Sequence, residues 1–199
     1  MGISLVIRSL LGTSPISSFP YVLSLIFPYT LGEFTFTFNM LFVFAQYLLL
    51  RRDFGNIQWL QIPITLLFAC SIDLSAELWN WITPTNYLLR LLPLLLGTTL
   101  ISFGVAAQGI ADVIMLPGEG LVYAISRHFK IEFGRVKTAN DVILVAIAAI
   151  TSWFYLGNIE GIREGTLISA LITGTIARFF LHHLSTVNKN GQLIFHPHL

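Results

Sequence analysis

Five apolar windows, at about 33–51, 57–79, 86–108, 138–156 and 164–184, each come close to the roughly 20 residues that a helix needs to cross a bilayer core. A chain patterned this way is expected to fold with lipid around it. Of its 199 residues, 55% are hydrophobic and only 11% charged, whereas a soluble domain carries about 25% charged residues. The net charge of +1 supplies no basic stripe able to neutralise a run of phosphates, so a nucleic-acid partner is not expected. The expected fold class is all-α: a polytopic transmembrane helical bundle.

Residues 2–12 add a shorter apolar segment that reaches about 16 Å, half of a bilayer core. The first span is therefore incomplete here, or the natural start lies upstream. Arg8 within that run, with no small-residue cleavage site after it, does not fit a secretory signal. Two further segments, "PISSFPYVLSLIF" (15–27) and "PGEGLVYAISRHF" (117–129), are too short to cross and read as re-entrant helices. The basic residues decide between six crossings and eight. With six, Arg51 and Arg52, then Arg127, Lys130, Arg135 and Lys137, then Lys189 all fall on one side, opposite loops that hold Arg163 beside Glu160 and Glu164. Eight crossings would split the basic loops between the two sides, against the positive-inside rule. About six spans are expected, the first one short, with both termini cytoplasmic and residues 185–199 as a cytoplasmic tail.

An internal repeat emerges when the chain is slid against itself by about 102 residues. Gly2 then meets Gly104, Pro15 meets Pro117, Tyr21 meets Tyr123, Ser24 meets Ser126, Phe27 meets Phe129 and Gly32 meets Gly134. Asn39 falls on Asp141, and "GNI" at 55–57 on "GNI" at 157–159. Prolines and glycines mark breaks and turns, so a shared register of them implies a shared backbone path. The division is repeat 1 at 1–84 and repeat 2 at 85–184. Each copy holds an odd number of crossings, so the second inserts upside down, the inverted-repeat architecture in which discontinuous helices meet near the midplane.

In "VIMLPGEGLVYAIS" (113–126) a proline, two glycines and a carboxylate interrupt an apolar run. Irregular backbone survives in lipid only where protein or a water-filled cavity satisfies its polar groups. Pro117 suits a helix first turn, Gly118 and Gly120 permit close backbone approach, and a helix N-terminus presents unpaired N–H groups with a partial positive charge. "TSPISS" (13–18) does the same from the other face. Ser14, Ser17, Gly118 and Glu119 are the expected substrate-binding residues, with Asn39 and Asp141 as symmetry-matched supports. The alternative is that both breaks are only turns between packed helices. Glu119 would compete with an anionic solute for the helix N–H groups.

Asp73 and Glu77 share a helix face at i, i+4 spacing and read either as a proton or cation site or as a solvated face. Asp141 either pairs with Arg135 across the turn before the fifth span or binds solute. Arg8, Arg90 and Arg178 read as side chains that snorkel to an interface. His182 and His183 point about 100° apart on a helix, and His196 and His198 lie in the tail, so no metal site and no cofactor is expected. The lone Cys70 can form no intrachain disulfide.

As a set, "LGTSPISSFPYVLSL" (11–25), "LGEFTFTFNMLFVFAQ" (31–46), "FGRVKTANDVILV" (133–145) and "IREGTLISALITGTIARFF" (162–180) resemble the YczE/YitT-like family of small bacterial integral membrane proteins. The first helix is shorter here than that family's pattern, and "PGEG" stands where related chains often carry other residues. The resemblance implies a multi-pass protein of the bacterial inner membrane and supplies no substrate.

A transporter-like protein that moves a small solute through a midplane site between the two half-helices is the leading expectation. Its partners would be the lipid bilayer, that unknown solute, and a second copy or membrane partner protein. One rival is a non-transporting scaffold or regulator of a partner. The other is an intramembrane enzyme using Asp73 or Asp141. An enzyme is not the expectation, because no G-x-S-x-G, Walker, H-E-x-x-H or CxxC pattern is present.

Overall fold

The computed structural model describes residues 1–51, 54–111 and 114–187, with the backbone alone at 109–111, 178 and 181–187. Arg52, Lys189, His196 and His198, and the tail from 188 onward, lie outside the described residues, as do the side chains of Arg178, His182 and His183. Among the described residues the regular structure is entirely helical: α1 (Gly2–Arg8), α2 (Pro15–Ile26), α3 (Leu31–Leu50), α4 (Gln61–Leu78), α5 (Tyr87–Ala111), α6 (Pro117–Phe129), α7 (Phe133–Leu156) and α8 (Glu164–Val187). A 3₁₀ turn, Asn56–Leu60, leads into α4. Among the described residues, four stretches, Leu31–Leu50, Asn56–Leu78, Tyr87–Gln108 and Phe133–Leu156, are long and apolar enough to cross a membrane.

Burial runs opposite to that of a soluble bundle. Leu88 and Leu171 are 76% exposed and Phe154 79%, while Thr13, Ser18, Thr65, Ser75, Ser102, Ser152 and Ser169 are completely buried. Lipid tails are as apolar as leucine, so large side chains gain nothing by turning inward, and small residues that let backbones approach fill the interior. Many buried hydroxyls bond back into their own helix, as Thr98 does to the Leu94 carbonyl and Ser102 to the Thr98 carbonyl, each at 2.7 Å. This inside-out distribution, with the apolar helices, identifies a membrane-embedded protein.

Side-chain contacts fix the helix directions. α1 lies antiparallel on α5, with Gly2 against Gly97 and Ile101, and Leu11 packed with Val6 and Leu94. Arg8, at the end of α1, donates to Asn80 Oδ1 (2.7 Å) and the Ala76 carbonyl (3.2 Å) at the end of α4. Phe27 at the end of α2 stacks with both Phe34 near the start of α3 and Tyr155 near the end of α7. Those termini, with Trp79 and Trp81, share one end of the bundle. Tyr47, Phe54 and Trp59 cluster at the other, where α3 ends and α4 begins. Tyr and Trp rings at both ends are the usual markers of the two membrane interfaces. In the middle, α2 packs on α7 and α6 on α3, while α8 packs on α5.

The window expected at 57–79 is filled by one continuous stretch, Asn56–Leu78, whose 3₁₀ turn gives way to α4 at Gln61, two residues before Pro63, whose missing N–H suits a first turn. One boundary differs from expectation for a local reason. α7 starts at Phe133 rather than 138, and its polar first turns carry two ion pairs at helical spacing, Glu132–Arg135 (3.4 Å) and Lys137–Asp141 (3.0 Å). Asp141 therefore sits in the third turn of α7 and pairs with Lys137, not with Arg135.

Asp73 has a structural task. Thr30 and Glu33 form a capping box at the start of α3, and Asp73 on α4 accepts from Thr30 Oγ1 (2.7 Å) and from the Gly32 N–H (2.8 Å). Its carboxylate thus ties two helices together and satisfies an orphan donor of the α3 N-terminus. Asp73→Ala is expected to lower the melting temperature of the purified protein by the equivalent of about 1–3 kcal/mol, and Asp73→Asn, which keeps one acceptor, by about half of that.

Candidate functional site

The stretch Ser9–Ser14 has no helix of its own, and Leu10 and Gly12 take positive φ values of 57° and 124°. Irregular backbone in a membrane protein must find partners, and this one finds them at the first turn of α8. The Gly165 N–H donates to the Leu11 carbonyl (2.8 Å), and the Thr13 N–H donates to Thr166 Oγ1 (3.1 Å). At Gly12 a side chain would run into Thr166, so φ and space both require glycine there. The segment thereby supplies an acceptor to the α8 N-terminus and delivers Pro15 to the first position of α2.

α6 begins in the same way. Leu116 and Ser14 precede their helices with nearly the same extended conformation, ψ 148° in both, and Pro117 and Pro15 follow at the first helical position. Upstream of Leu116 the chain is braced by the last turns of α5, where Gln108 Nε2 donates to the Ile114 carbonyl at 3.1 Å.

The two N-termini meet. Ile16 lies directly over Gly118, so that any side chain at 118 would collide with the Ile16 δ-methyl, and Phe42 of α3 closes the contact from the side. Because α2 runs on to the end of the bundle where α3 starts, and α6 to the end where α7 starts, the two short helices point in opposite directions from this contact. Pro117, Gly118 and Gly120 are buried and Glu119 is half-buried.

Around this seam the expected residues divide into three groups. Ser14 and Ser17 are brought together, with Ser14 Oγ donating to Ser17 Oγ at 3.0 Å, while Ser18 Oγ donates to the Pro15 carbonyl at 2.6 Å. Ser14 and Ser18 thus donate within the first turn of α2, and Ser17 accepts there. Glu119 and Asp141 form a second group around Lys137: Lys137 Nζ bonds Asp141 at 3.0 Å, and the charges of both reach the Glu119 carboxylate. Asn39 stands apart on the buried face of α3 that also carries Thr35, Val43 and Gln46, and makes no hydrogen bond with the other five among the described residues.

Two further residues at the seam escape sequence reasoning. Gln46 and Gln61 are each only 1% exposed. Gln46 Nε2 donates to the Pro117 carbonyl (2.9 Å) and to Gln61 Oε1 (3.3 Å), and Gln61 Nε2 donates back to Gln46 Oε1 (3.3 Å) and to Gln58. Gly120 permits this approach, since a Cβ there would lie 2.7 Å from Gln46 Oε1. The pair of amides therefore anchors the start of α6 to the end of α3 and the start of α4.

No curated protein and no solved structure matches this chain. A family model does, over residues 1–182, and it describes a family of unknown function, DUF6198. The match spans every helix that builds the seam, and the chain belongs to that uncharacterised family.

Proposed function

We propose that this chain is a six-pass protein of the bacterial inner membrane, related to the YczE/YitT-like proteins and built from two inverted repeats, 1–84 and 85–184, that pass a small solute between α2 and α6. The observation that carries the reading is the meeting of two oppositely directed, proline-initiated helix N-termini at Ile16 and Gly118, positions that share one repeat register. The exchange of partners between halves, α2 on α7 and α6 on α3, is what an inverted pseudo-symmetry requires. Arg51, Arg127, Lys130, Arg135 and Lys137 lie toward the end of the bundle where α3 and α6 finish, which favours a cytoplasmic placement of that end.

On this reading Ile16 is a plug and Glu119, Lys137 and Asp141 select the solute. Ile16→Ala removes three carbons from the contact and should open it. Osmotic swelling of proteoliposomes in glycerol, urea, glycine and ammonium formate, followed by light scattering, measures this without a labelled substrate. Faster swelling with Ile16→Ala than with the unaltered chain is expected for at least one solute, with the order among solutes changed by Glu119→Gln. Swelling no faster than in empty liposomes for both proteins would overturn the reading. The occupied serine hydroxyls and the apolar Ile16 contact favour a second reading, a non-transporting scaffold, which predicts that null result together with a stoichiometric partner co-purifying from native membranes.

A further inference from the structure

A groove of about 610 Å³ opens between the ends of α1 and α4 and the first turn of α3, and none of the seam residues lines it. It is shallow and open, so a ligand there would rest against the protein surface rather than inside it. Leu31 and Leu74 form apolar walls, and Arg8, Asp73, Glu77 and Asn80 bring polar groups into it. These groups are unequally engaged. Asp73 is held by Thr30 and Gly32. Arg8 is fixed through one nitrogen, Nη2, by Asn80 and the Ala76 carbonyl, leaving its other two guanidinium nitrogens unbonded among the described residues. The Glu77 carboxylate is exposed and has no hydrogen-bond or ion-pair partner among them.

A positioned guanidinium and a free carboxylate that share a groove without pairing to each other match a ligand carrying both charges. The geometry points to a zwitterion site, in which Glu77 accepts N–H bonds from a primary ammonium and Arg8 donates to an anionic oxygen group, as a phosphoethanolamine would present them. The C-terminal carbonyls of α4 beside Glu77 add partial negative charge on the ammonium side. No aromatic side chain lines the groove among the described residues, so there is no cage for a quaternary ammonium. Trp79 and Trp81 lie beside it in the chain, at the level where headgroups sit. The same chemistry is offered by a phosphatidylethanolamine headgroup and by a free solute.

The full chain in nanodiscs of phosphatidylglycerol alone, or mixed with phosphatidylethanolamine or phosphatidylcholine, separates these sources by thermal melting, alongside detergent samples given free phosphoethanolamine or phosphocholine. The expected result is a higher melting temperature with the ethanolamine form than with the choline form, and loss of that difference in Glu77→Gln, whose side chain has no folding partner to lose. A shift confined to the nanodiscs assigns a lipid, and one seen also with free phosphoethanolamine assigns a solute. Equal melting with ethanolamine and choline forms, or a difference that persists in Glu77→Gln, would overturn the site. Neither outcome bears on the α2–α6 seam.

Discussion

Gly97→Ala and Gly104→Ala, two chemically identical changes in α5, are expected to shift stability in opposite directions. A Cβ at Gly97 would lie 2.7 Å from the Gly2 carbonyl oxygen and 2.8 Å from the Val6 nitrogen, both backbone atoms of α1 that no rotamer change can move aside. Gly2 is equally constrained, with the Gly97 carbonyl 2.6 Å from where its Cβ would be. Alanine at 97 gains up to about 1 kcal/mol of helix propensity, but overpacking a tight contact costs about 1–3 kcal/mol, and here the displaced body is a whole helix. The clash wins. At Gly104, exposed on the same helix, nothing lies within 4 Å, so only the propensity gain of about 0.5–1 kcal/mol remains. Melting curves in one detergent should bracket the unaltered protein, lower for Gly97→Ala and higher for Gly104→Ala, and Gly97→Leu should yield no monodisperse protein. Shifts of the same sign for both alanines would mean that α1 does not pack on α5 through this pair.

The features legible in the sequence are those with local causes. Pro15 and Pro117 begin α2 and α6 at the expected residues, because a missing N–H and a fixed φ suit only a first turn. Four of the long apolar windows coincide with stretches long and apolar enough to cross a membrane among the described residues, for an equally local reason. Partnerships across the chain leave no such trace. Asp73 sits among apolar residues and reads either as a proton or cation site or as part of a solvated face, and nothing nearby in the chain points to its partner Thr30, 43 positions away. Asp141 reads as a partner of Arg135 only while α7 is taken to start later; once the helix begins at Phe133, i, i+4 spacing selects Lys137. The serines of "TSPISS" advertise free hydroxyls, yet in the folded turn Ser14 and Ser18 already donate and Ser17 already accepts. Gln46 and Gln61 are invisible in the sequence because a neutral amide inside an apolar window changes neither its charge nor its length.

Those amides support the other large expected effect. Gln46→Leu removes the bond between helices to the Pro117 carbonyl and strands the Gln61 amide that pairs with it, at a site where both glutamines are 1% exposed. A buried polar group left unsatisfied costs about 1–3 kcal/mol, and interhelical hydrogen bonds measured in membranes lie nearer the low end of that range, so a total loss of about 2–4 kcal/mol is expected. Gln61→Leu should cost less, because Gln46 keeps its bond to Pro117 when Gln61 is gone. The double substitution should be less destabilising than the two singles added, since each single strands an amide that the double removes. It should not recover fully, because the bond that ties α3 to the Pro117 carbonyl is still missing, and that carbonyl keeps only its partner within α6. That ordering, Gln46→Leu worse than Gln61→Leu with a favourable coupling between them, distinguishes a hydrogen-bonded anchor from simple packing, for which the two leucines would act alike and independently. Equal and additive effects in thermal melts would mean that the start of α6 is held by its apolar contacts with Ile16 and Phe42 alone.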